Sequence, residues 1–311
     1  MSILFSVCPS PRPPYYRVHA VWIQVTIRRM DDYEELTVTL PDGYRAYARC
    51  RMPTEPCGAV LYLHGIQSHC DWYDASAQRL ARAGYAVLQV DRRGCGRNSQ
   101  DRGHADSAEQ LIDDTLAARD ELLRRFGCDE YHMVGVSWGG KLAAASHVTD
   151  AQGVLSLSLV TPGLFPRVTV SDAEKAEIGL AMLYEPRRLF NIPLNDPKLF
   201  TASPRWQEFF RNDTGTLRQC TAGFYLASRR MDRIVANLPN APPTSLHLVL
   251  AGDEQIIDND KTSGFIHSLG WTHSKISVYP RARHSLEFET EAEEYFDALI
   301  SFISDAKPTH R

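Results

Sequence analysis

The sequence predicts an α/β protein with a mostly parallel sheet of eight strands, helices on both faces and an inserted helical cap. Two observations lead to this prediction. From about residue 34 onward, short apolar runs alternate with segments whose apolar residues recur at helical spacing. Between about residues 164 and 240 a stretch rich in proline and aromatic residues interrupts the alternation, which then resumes.

The predicted elements follow one another in a regular order. A hairpin comes first, because the runs EELTVTL and YRAYARC flank the turn PDG. The later strands are continuous apolar runs, as is typical of buried parallel strands: GAVLYLHG, YAVLQVD, YHMVGVS, VLSLSLVTP, SLHLVLAG and KISVYP. The helices lie between or after them: WYDASAQRLARAG, ADSAEQLIDDTLAARDELLRRFG, WGGKLAAASHV, NDKTSGFIHSLG and ETEAEEYFDALISFIS.

The domain organisation follows from this alternation. Residues 31–163 and 241–311 are predicted to form the α/β core, and residues 164–240 the cap, built from helices and loops without strand runs. Residues 1–30 are rich in proline and are predicted to be a poorly ordered extension. Met30 is a candidate for the natural start of the protein.

Composition restricts the partners and the compartment. A formal net charge of −4 argues against a nucleic-acid or anionic-membrane partner, since both need a basic face. No apolar run reaches the roughly 18 residues of a membrane span, and the N-terminus is a poor signal peptide. Seven cysteines without a CxxC pair indicate reduced thiols in the cytoplasm. No motif implies a metal or cofactor, and the sequence does not indicate an oligomeric state.

The motif GVSWGG, residues 135–140, lies between a predicted strand and a predicted helix. A serine in Gly-x-Ser-x-Gly on such a turn is typical of an exposed nucleophile, because bulky neighbours two residues away would collide. The helix N-terminus also favours negative charge at this point. Ser137 is therefore the candidate nucleophile, and a purely structural glycine-rich turn is the alternative.

A serine hydroxyl is a weak nucleophile until a base takes its proton. His284 follows the last predicted strand, at the sheet edge where ligands bind in doubly wound sheets, and is the candidate base. His147 lies about 15 Å along the helix from Ser137 and is too distant. His64 ends an earlier strand and is predicted to brace its own loop.

A carboxylate should orient the histidine, and it is expected after the strand SLHLVLAG. No acid lies between Ala151 and Ser171, so the preceding loop cannot supply it. Three candidates remain from position alone: Asp253, Glu254 and Asp258.

Two backbone N–H groups are expected to stabilise an oxyanion next to the serine. The amide of Trp138, directly after Ser137, is the first candidate. Ile66, in the loop after the strand that ends in His64 and Gly65, is the second. Only backbone atoms are used, so their side chains carry no signal.

Taken together, these motifs resemble those of the α/β-hydrolase superfamily. More narrowly, they resemble the group that contains monoacylglycerol lipases and lysophospholipase-like and serine aminopeptidase-like hydrolases. The motifs are LHGIQSH, VDRRGCGRN, GVSWGG, LAGDEQIIDN and RARHSLEFE, in the family's order. The resemblance implies the α/β-hydrolase fold, with Ser137 as nucleophile, His284 as base, and Ile66 and Trp138 as oxyanion donors. It also implies that the DRRGCG turn is structural and not catalytic.

The acid departs from the family pattern, which has aspartate where this chain has Glu254. The spacing of the two aliphatic residues and the aspartate that follow fits Glu254, which is therefore the predicted acid. Asp253 is the runner-up, and Asp258 is predicted to be structural. Arg281 stands where the family often has glycine, which we interpret as loop variation.

The implied function is a serine hydrolase that cleaves a small-molecule carboxylic ester, with acyl lipids among the candidate substrates. Three alternatives stay open: a thioesterase or acyltransferase, an aminopeptidase-type amide hydrolase, and a non-catalytic binding module on the same fold. Epoxide hydrolases and dehalogenases are excluded, because they use a carboxylate where Ser137 stands. Large apolar cap residues either line an acyl pocket or form the cap's own core: Phe165, Leu183, Phe190, Trp206 and Phe224.

Overall fold

The computed structural model describes residues 33–306. The predicted N-terminal extension, residues 1–30, lies outside the described residues, as does the candidate start Met30. Within the described range the six cysteines are free thiols, and no helix is long and apolar enough to cross a membrane.

Ten strands are found in the described residues, and eight of them form one sheet. In chain order they are β1 (Glu34–Thr39), β2 (Arg45–Arg51), β3 (Gly58–Leu63), β4 (Tyr85–Val90), β5 (Tyr131–Val136), β6 (Val154–Val160), β7 (Leu189–Asn191), β8 (Gln219–Thr221), β9 (Ser245–Ala251) and β10 (Ser274–Tyr279). The large sheet has the order β1-β2-β4-β3-β5-β6-β9-β10. Strand β2 is antiparallel to both of its neighbours, and every other pairing in this sheet is parallel. The predicted eight-stranded, mostly parallel sheet is confirmed.

Eight α-helices accompany the strands over residues 33–306. They are α1 (Asp74–Arg82), α2 (Ala108–Phe126), α3 (Trp138–Thr149), α4 (Asp172–Tyr184), α5 (Pro204–Asn212), α6 (Ala222–Val235), α7 (Asn259–Ser268) and α8 (Ala292–Asp305). The ends of the long helix α2 could be predicted from sequence because both carry capping residues. At its start, the Ser107 hydroxyl accepts a hydrogen bond from the amide of Gln110. Gly127 ends it at a φ of 71°, in the left-handed region.

The central strands carry the hydrophobic core. Every residue of β4 and of β5 is buried, as expected for parallel strands that are covered on both faces. This arrangement brings the carboxyl ends of β3, β5, β6, β9 and β10 to one edge of the sheet, where the loops after them can meet.

The segment between β6 and β9 forms helices α4, α5 and α6 and the antiparallel pair β7 and β8. The expectation of helices and loops alone was therefore incomplete, because strands of three residues are too short to show an alternating pattern. The segment is attached to the core by backbone hydrogen bonds. The Thr221 amide donates to the Gly103 carbonyl at 2.9 Å, and the Leu217 amide donates to the Gln67 carbonyl at 2.9 Å.

Arg93, in the loop after β4, joins three parts of the core. Its guanidinium donates to both carboxylate oxygens of Asp114 on α2, at 2.6 and 2.8 Å, and to Asp42 in the hairpin turn at 2.8 Å. Arg93 and Asp114 are both buried. Burial raises the pKa of Asp114 even though Arg93 opposes the change. Arg93 of the DRRGCG turn thus has a structural role.

Replacing Arg93 should destabilise the fold strongly. Arg93→Met leaves the buried Asp114 carboxylate without its partner, which should lower the free energy of unfolding by about 3–5 kcal/mol in urea denaturation. The matched control is Arg97→Met in the same loop, because Arg97 pairs with Glu35 at the surface and should matter little. Equal stability of the two variants would contradict this assignment.

Candidate active site

Ser137 lies on a sharp turn between β5 and α3. Its backbone has a φ of 55° and a ψ of −123°, a region that residues with a side chain rarely adopt. A Cβ atom on Gly139 would overlap the carbonyl oxygens of Leu63 and His64, and one on Gly135 would overlap the backbone of Gly139. Gly139 is therefore required for close packing of α3 against the end of β3, and Gly135 for close packing of β5 against α3.

His284, in the loop after β10, is fully buried beside Ser137. Its Nε2 lies 2.8 Å from Ser137 Oγ, and its Nδ1 lies 2.9 and 3.1 Å from the two carboxylate oxygens of Glu254. A carboxylate can only accept, so Nδ1–H donates to Glu254, and Nε2 is left to accept the serine proton. The Thr161 hydroxyl donates to the His284 carbonyl at 2.9 Å and fixes the loop.

Glu254 is held as a buried carboxylate. Its Oε1 also accepts the amides of Ile256 at 2.7 Å and Ile257 at 3.3 Å. Burial alone would raise the pKa of Glu254, but the electrostatic interaction and hydrogen bond with His284, together with the two backbone hydrogen bonds, outweigh it and lower the pKa below its usual value. The group is therefore ionised at neutral pH.

The other two candidate acids lie elsewhere. Asp253 is half exposed, and its carboxylate accepts a hydrogen bond from Arg283 Nε at 2.9 Å. Asp258 caps the start of α7, where it accepts the amide of Lys261 at 3.0 Å. Of the three acids, the structure brings Glu254 to His284.

The loop after β3 lies directly against the nucleophile. A Cβ atom on Gly65 would be 3.3 Å from the Cβ of Ser137. Ile66 is the next residue and therefore lies close to the nucleophile. Arg92 holds this loop, because its guanidinium donates to the carbonyls of Gly65 at 3.2 Å and Ile66 at 2.9 Å. The same guanidinium lies 4.6 Å from the ring centroid of Trp138.

Arg92 was missed at the sequence level. Arg92 contacts both predicted oxyanion donors, Ile66 and Trp138. It nevertheless belongs to the DRRGCG turn, for which the resemblance implies a structural role. The available signal was the pair of adjacent arginines in VDRRGCGRN, of which only the second is needed for the contact with Asp114.

The other two histidines considered as bases are occupied by backbone partners. His64 bonds the carbonyl of Gly65 at 2.8 Å and accepts the amide of Arg92 at 2.9 Å. Burial lowers the pKa of His64 to about 3, and Arg92 adds to the effect, so this ring is neutral. His147 bonds the carbonyl of Pro242 at 2.8 Å. Both rings brace the backbone.

Comparison with known proteins identifies the family. The family model described as serine aminopeptidase, S33, matches residues 54–291, which is most of the chain. The chain belongs to this family of α/β hydrolases. The resemblance inferred from the motifs is thereby confirmed.

Solved structures agree with this hydrolase in fold. It superposes on the monoglyceride lipase of Saccharomyces cerevisiae with a TM-score of 0.77 and 17% identity, covering 91% of this chain and 100% of that one. The monoacylglycerol lipase of Paleococcus ferrophilus gives a TM-score of 0.76 and 18% identity, covering 85% of this chain and 100% of that one. At such identities the likeness concerns the fold.

Among the curated relatives, one with higher identity matches over a shorter segment of the hydrolase. Epoxide hydrolase B of Mycobacterium tuberculosis is 32% identical over 128 residues, which is 39% of this chain and 34% of that protein. The match thus spans about a third of the relative's length.

A cavity of about 540 Å³ adjoins Ser137 in this hydrolase. Ile66 and Trp138 lie on its wall beside the nucleophile. The rest of the wall is mainly aliphatic and comes from the loops after β6, β7 and β9 and from helices α4 and α6. Its aliphatic members include Val168, Val170, Ile178, Ile192, Leu194 and Ile257.

The five cap residues considered for an acyl pocket are absent from the described wall of this cavity, so the pocket-lining alternative does not hold for them. Phe165 packs against Phe265, and Leu183 is 73% exposed. Large rings gain most from packing on other rings, and these rings form cap and cap–core contacts. The other three candidates also pack against other side chains: Phe190 lies in a small hydrophobic cluster of the cap, Trp206 packs against Phe288, and Phe224 packs against Trp138.

No group of three or more His, Cys, Asp or Glu side chains among residues 33–306 is arranged to hold a metal ion.

The tight turn at Ser137 leads to a stability prediction. Gly139→Ala should lower the free energy of unfolding by about 1–3 kcal/mol, because the new methyl overlaps two carbonyl oxygens. Gly264→Ala is the control, since a Cβ there meets nothing within 4 Å inside α7. The free energy of unfolding of this control should rise by up to about 1 kcal/mol. Chemical denaturation of both variants checks the pair, and similar changes in both would refute the packing argument.

Proposed function

We propose that this α/β hydrolase cleaves carboxylic esters through Ser137, His284 and Glu254. The observation that supports the proposal is the continuous hydrogen-bond chain from the serine oxygen through the imidazole to a buried carboxylate. Such a chain activates a serine for acyl transfer.

The proposed reaction has two steps. Ser137 Oγ attacks the ester carbonyl while His284 Nε2 takes its proton, and His284 then returns the proton to the leaving alcohol. Glu254 keeps the imidazole in the required tautomer and stabilises its positive charge. A water molecule, activated by His284, then attacks the acyl-enzyme, releases the acid and regenerates Ser137.

The backbone amides of Ile66 and Trp138 are proposed to donate to the oxyanion in both steps. Arg92 supports this part of the proposal as a positioning residue, because it contacts Ile66 and Trp138 and is not among the residues described on the cavity wall. Its hydrogen bonds occupy the carbonyls of Gly65 and Ile66 and so hold the loop at the nucleophile.

The cavity favours an ester with an apolar part. A volume of about 540 Å³ with an aliphatic wall is of the size that binds small molecules in proteins. The lipases in the structural comparison agree with this choice. An epoxide hydrolase is not supported, because the nucleophile position carries a serine.

The aminopeptidase alternative needs a carboxylate that is available to bind an α-amino group. Asp232 on the cavity wall is already paired with Lys141 at 2.5 Å. The wall therefore offers little to a cationic substrate. Thioesterase and acyltransferase reactions use the same residues, and partitioning of the acyl-enzyme between water and added alcohols distinguishes them.

The acid is tested by one pair of variants. Glu254→Gln should lower kcat for a short nitrophenyl ester by about 10³- to 10⁴-fold, because an amide cannot hold the imidazole in the same state. Asp253→Asn, the adjacent control, should retain the parent rate. Steady-state kinetics decide the matter, and the opposite ranking of the two variants would reject Glu254 as the acid.

Arg92 is tested through its effect on kcat. Arg92→Met should lower kcat about tenfold and leave KM nearly unchanged, because the oxyanion loop acts in the transition state. Arg92→Lys should recover part of the rate. Arg97→Met, in the same loop, is the control. A loss that appears only in KM, or none at all, would refute the positioning role.

A further inference from the structure

The wall of the cavity beside Ser137 carries an excess of positive charge. Among its mainly aliphatic residues are three cationic side chains, Lys141, Lys175 and Arg229, and one carboxylate, Asp232. The chain as a whole has a formal net charge of −4. The sign of the charge inside the cavity is therefore opposite to that of the protein.

Lys141 lies close to the reacting centre. It follows Ser137 by four residues, and its Cα on helix α3 is about 6 Å further along the axis. Only 5% of its surface is exposed, and its ammonium pairs with Asp232 Oδ1 at 2.5 Å. A buried ammonium requires such a partner, so this pair accounts for the single carboxylate of the wall.

The positive charge of Arg229 is only weakly compensated by a nearby carboxylate. Its Nη1 is 3.7 Å from the other oxygen of Asp232, which Lys141 already neutralises, and its side chain is 83% exposed. Lys175 differs, because it pairs with Asp172 at the surface at 2.8 Å. The uncompensated positive charge therefore lies on α6, at Arg229.

A hydroxyl donor lies on the same helix. Ser228 Oγ accepts a hydrogen bond from Trp138 Nε1 at 2.9 Å, which leaves the hydroxyl's own proton able to donate. Trp138 is the residue directly after the nucleophile. A guanidinium, an ammonium and a hydroxyl thus lie on the wall of the cavity that adjoins Ser137.

We propose that the cavity binds esters that carry an anionic group, a carboxylate or a phosphate, which Arg229 and Ser228 bind with support from Lys141. The apolar part of the substrate lies against the aliphatic wall, and the ester carbonyl lies at Ser137. This inference rests on the proposed ester hydrolysis and adds the substrate class.

The test compares matched anionic and neutral esters. On the acyl side, mono-nitrophenyl adipate is compared with nitrophenyl hexanoate; on the alcohol side, monohexanoyl glycerol phosphate is compared with monohexanoyl glycerol. We expect kcat/KM to favour the anionic member of at least one pair on the order of tenfold. The pair that shows the preference identifies the side of the ester that carries the charge.

Variants of exposed arginines then locate the effect without risk to folding. Arg229→Gln should abolish the anionic preference, and Arg229→Glu should invert it. The control is Arg230→Gln, which removes the same charge from the adjacent residue of α6, where Arg230 pairs with Glu109 outside the cavity. This control should keep the full preference.

The outcomes separate this inference from the proposed function. Hydrolysis of nitrophenyl hexanoate that is lost in Ser137→Ala supports the function by itself, whatever the charge preference. With that activity present, equal rates within both pairs, or a preference that survives in Arg229→Glu, would overturn the anionic subsite alone. Absence of any hydrolysis dependent on Ser137 would overturn both proposals.

Discussion

The site depends on one steric constraint, the close approach of helix α3 to the end of strand β3. Gly139 meets the carbonyls of Leu63 and His64 with no room for a side chain, and Gly135 meets the backbone of Gly139 in the same way. Ser137, which lies between these two glycines, has a backbone conformation that is rare for a residue with a side chain. The Ser137 amide donates to the Val160 carbonyl at 2.8 Å, which ties the strained turn to β6. The hydroxyl is thereby presented to the loops at the sheet edge.

The remaining groups reach the serine because parallel strands end at the same edge. The loop after β10 brings His284, the loop after β9 brings Glu254, and the loop after β3 brings Ile66. Each loop is fixed by polar contacts to another loop, such as the hydrogen bond from Thr161 to the His284 carbonyl. The arrangement is therefore built by the sheet topology and is held by contacts between segments that are distant in sequence.

The sequence predicted most of the core because its elements are long and regular. The apolar runs of β3 to β6 and the capped helix α2 carry local signals that survive tertiary packing. Strands β7 and β8, with three residues each, carry no period. Periodicity could not decide between Asp253 and Glu254 either, because the side-chain directions of two adjacent loop residues depend on the conformation of the loop. The spacing of the family motif favoured Glu254.

The contacts of Arg92 and the composition of the cavity wall could not be predicted from local sequence patterns. Arg92 meets Gly65 and Ile66 across two loops, and Lys141 meets Asp232 only after α6 packs beside α3. Most of the cavity wall is aliphatic, whereas the cap residues Phe190, Trp206 and Phe224 pack against other side chains. Aromatic pairs gain from such contacts beyond the area that they bury.

The central claim is that Ser137 is an activated nucleophile. Peptide mapping by mass spectrometry after incubation of the folded protein with a fluorophosphonate tests it most directly, because the reagent reacts with activated serines and marks the residue that it modifies. The account predicts one stoichiometric adduct on Ser137. An adduct on a different serine, or none on the folded protein, would contradict it.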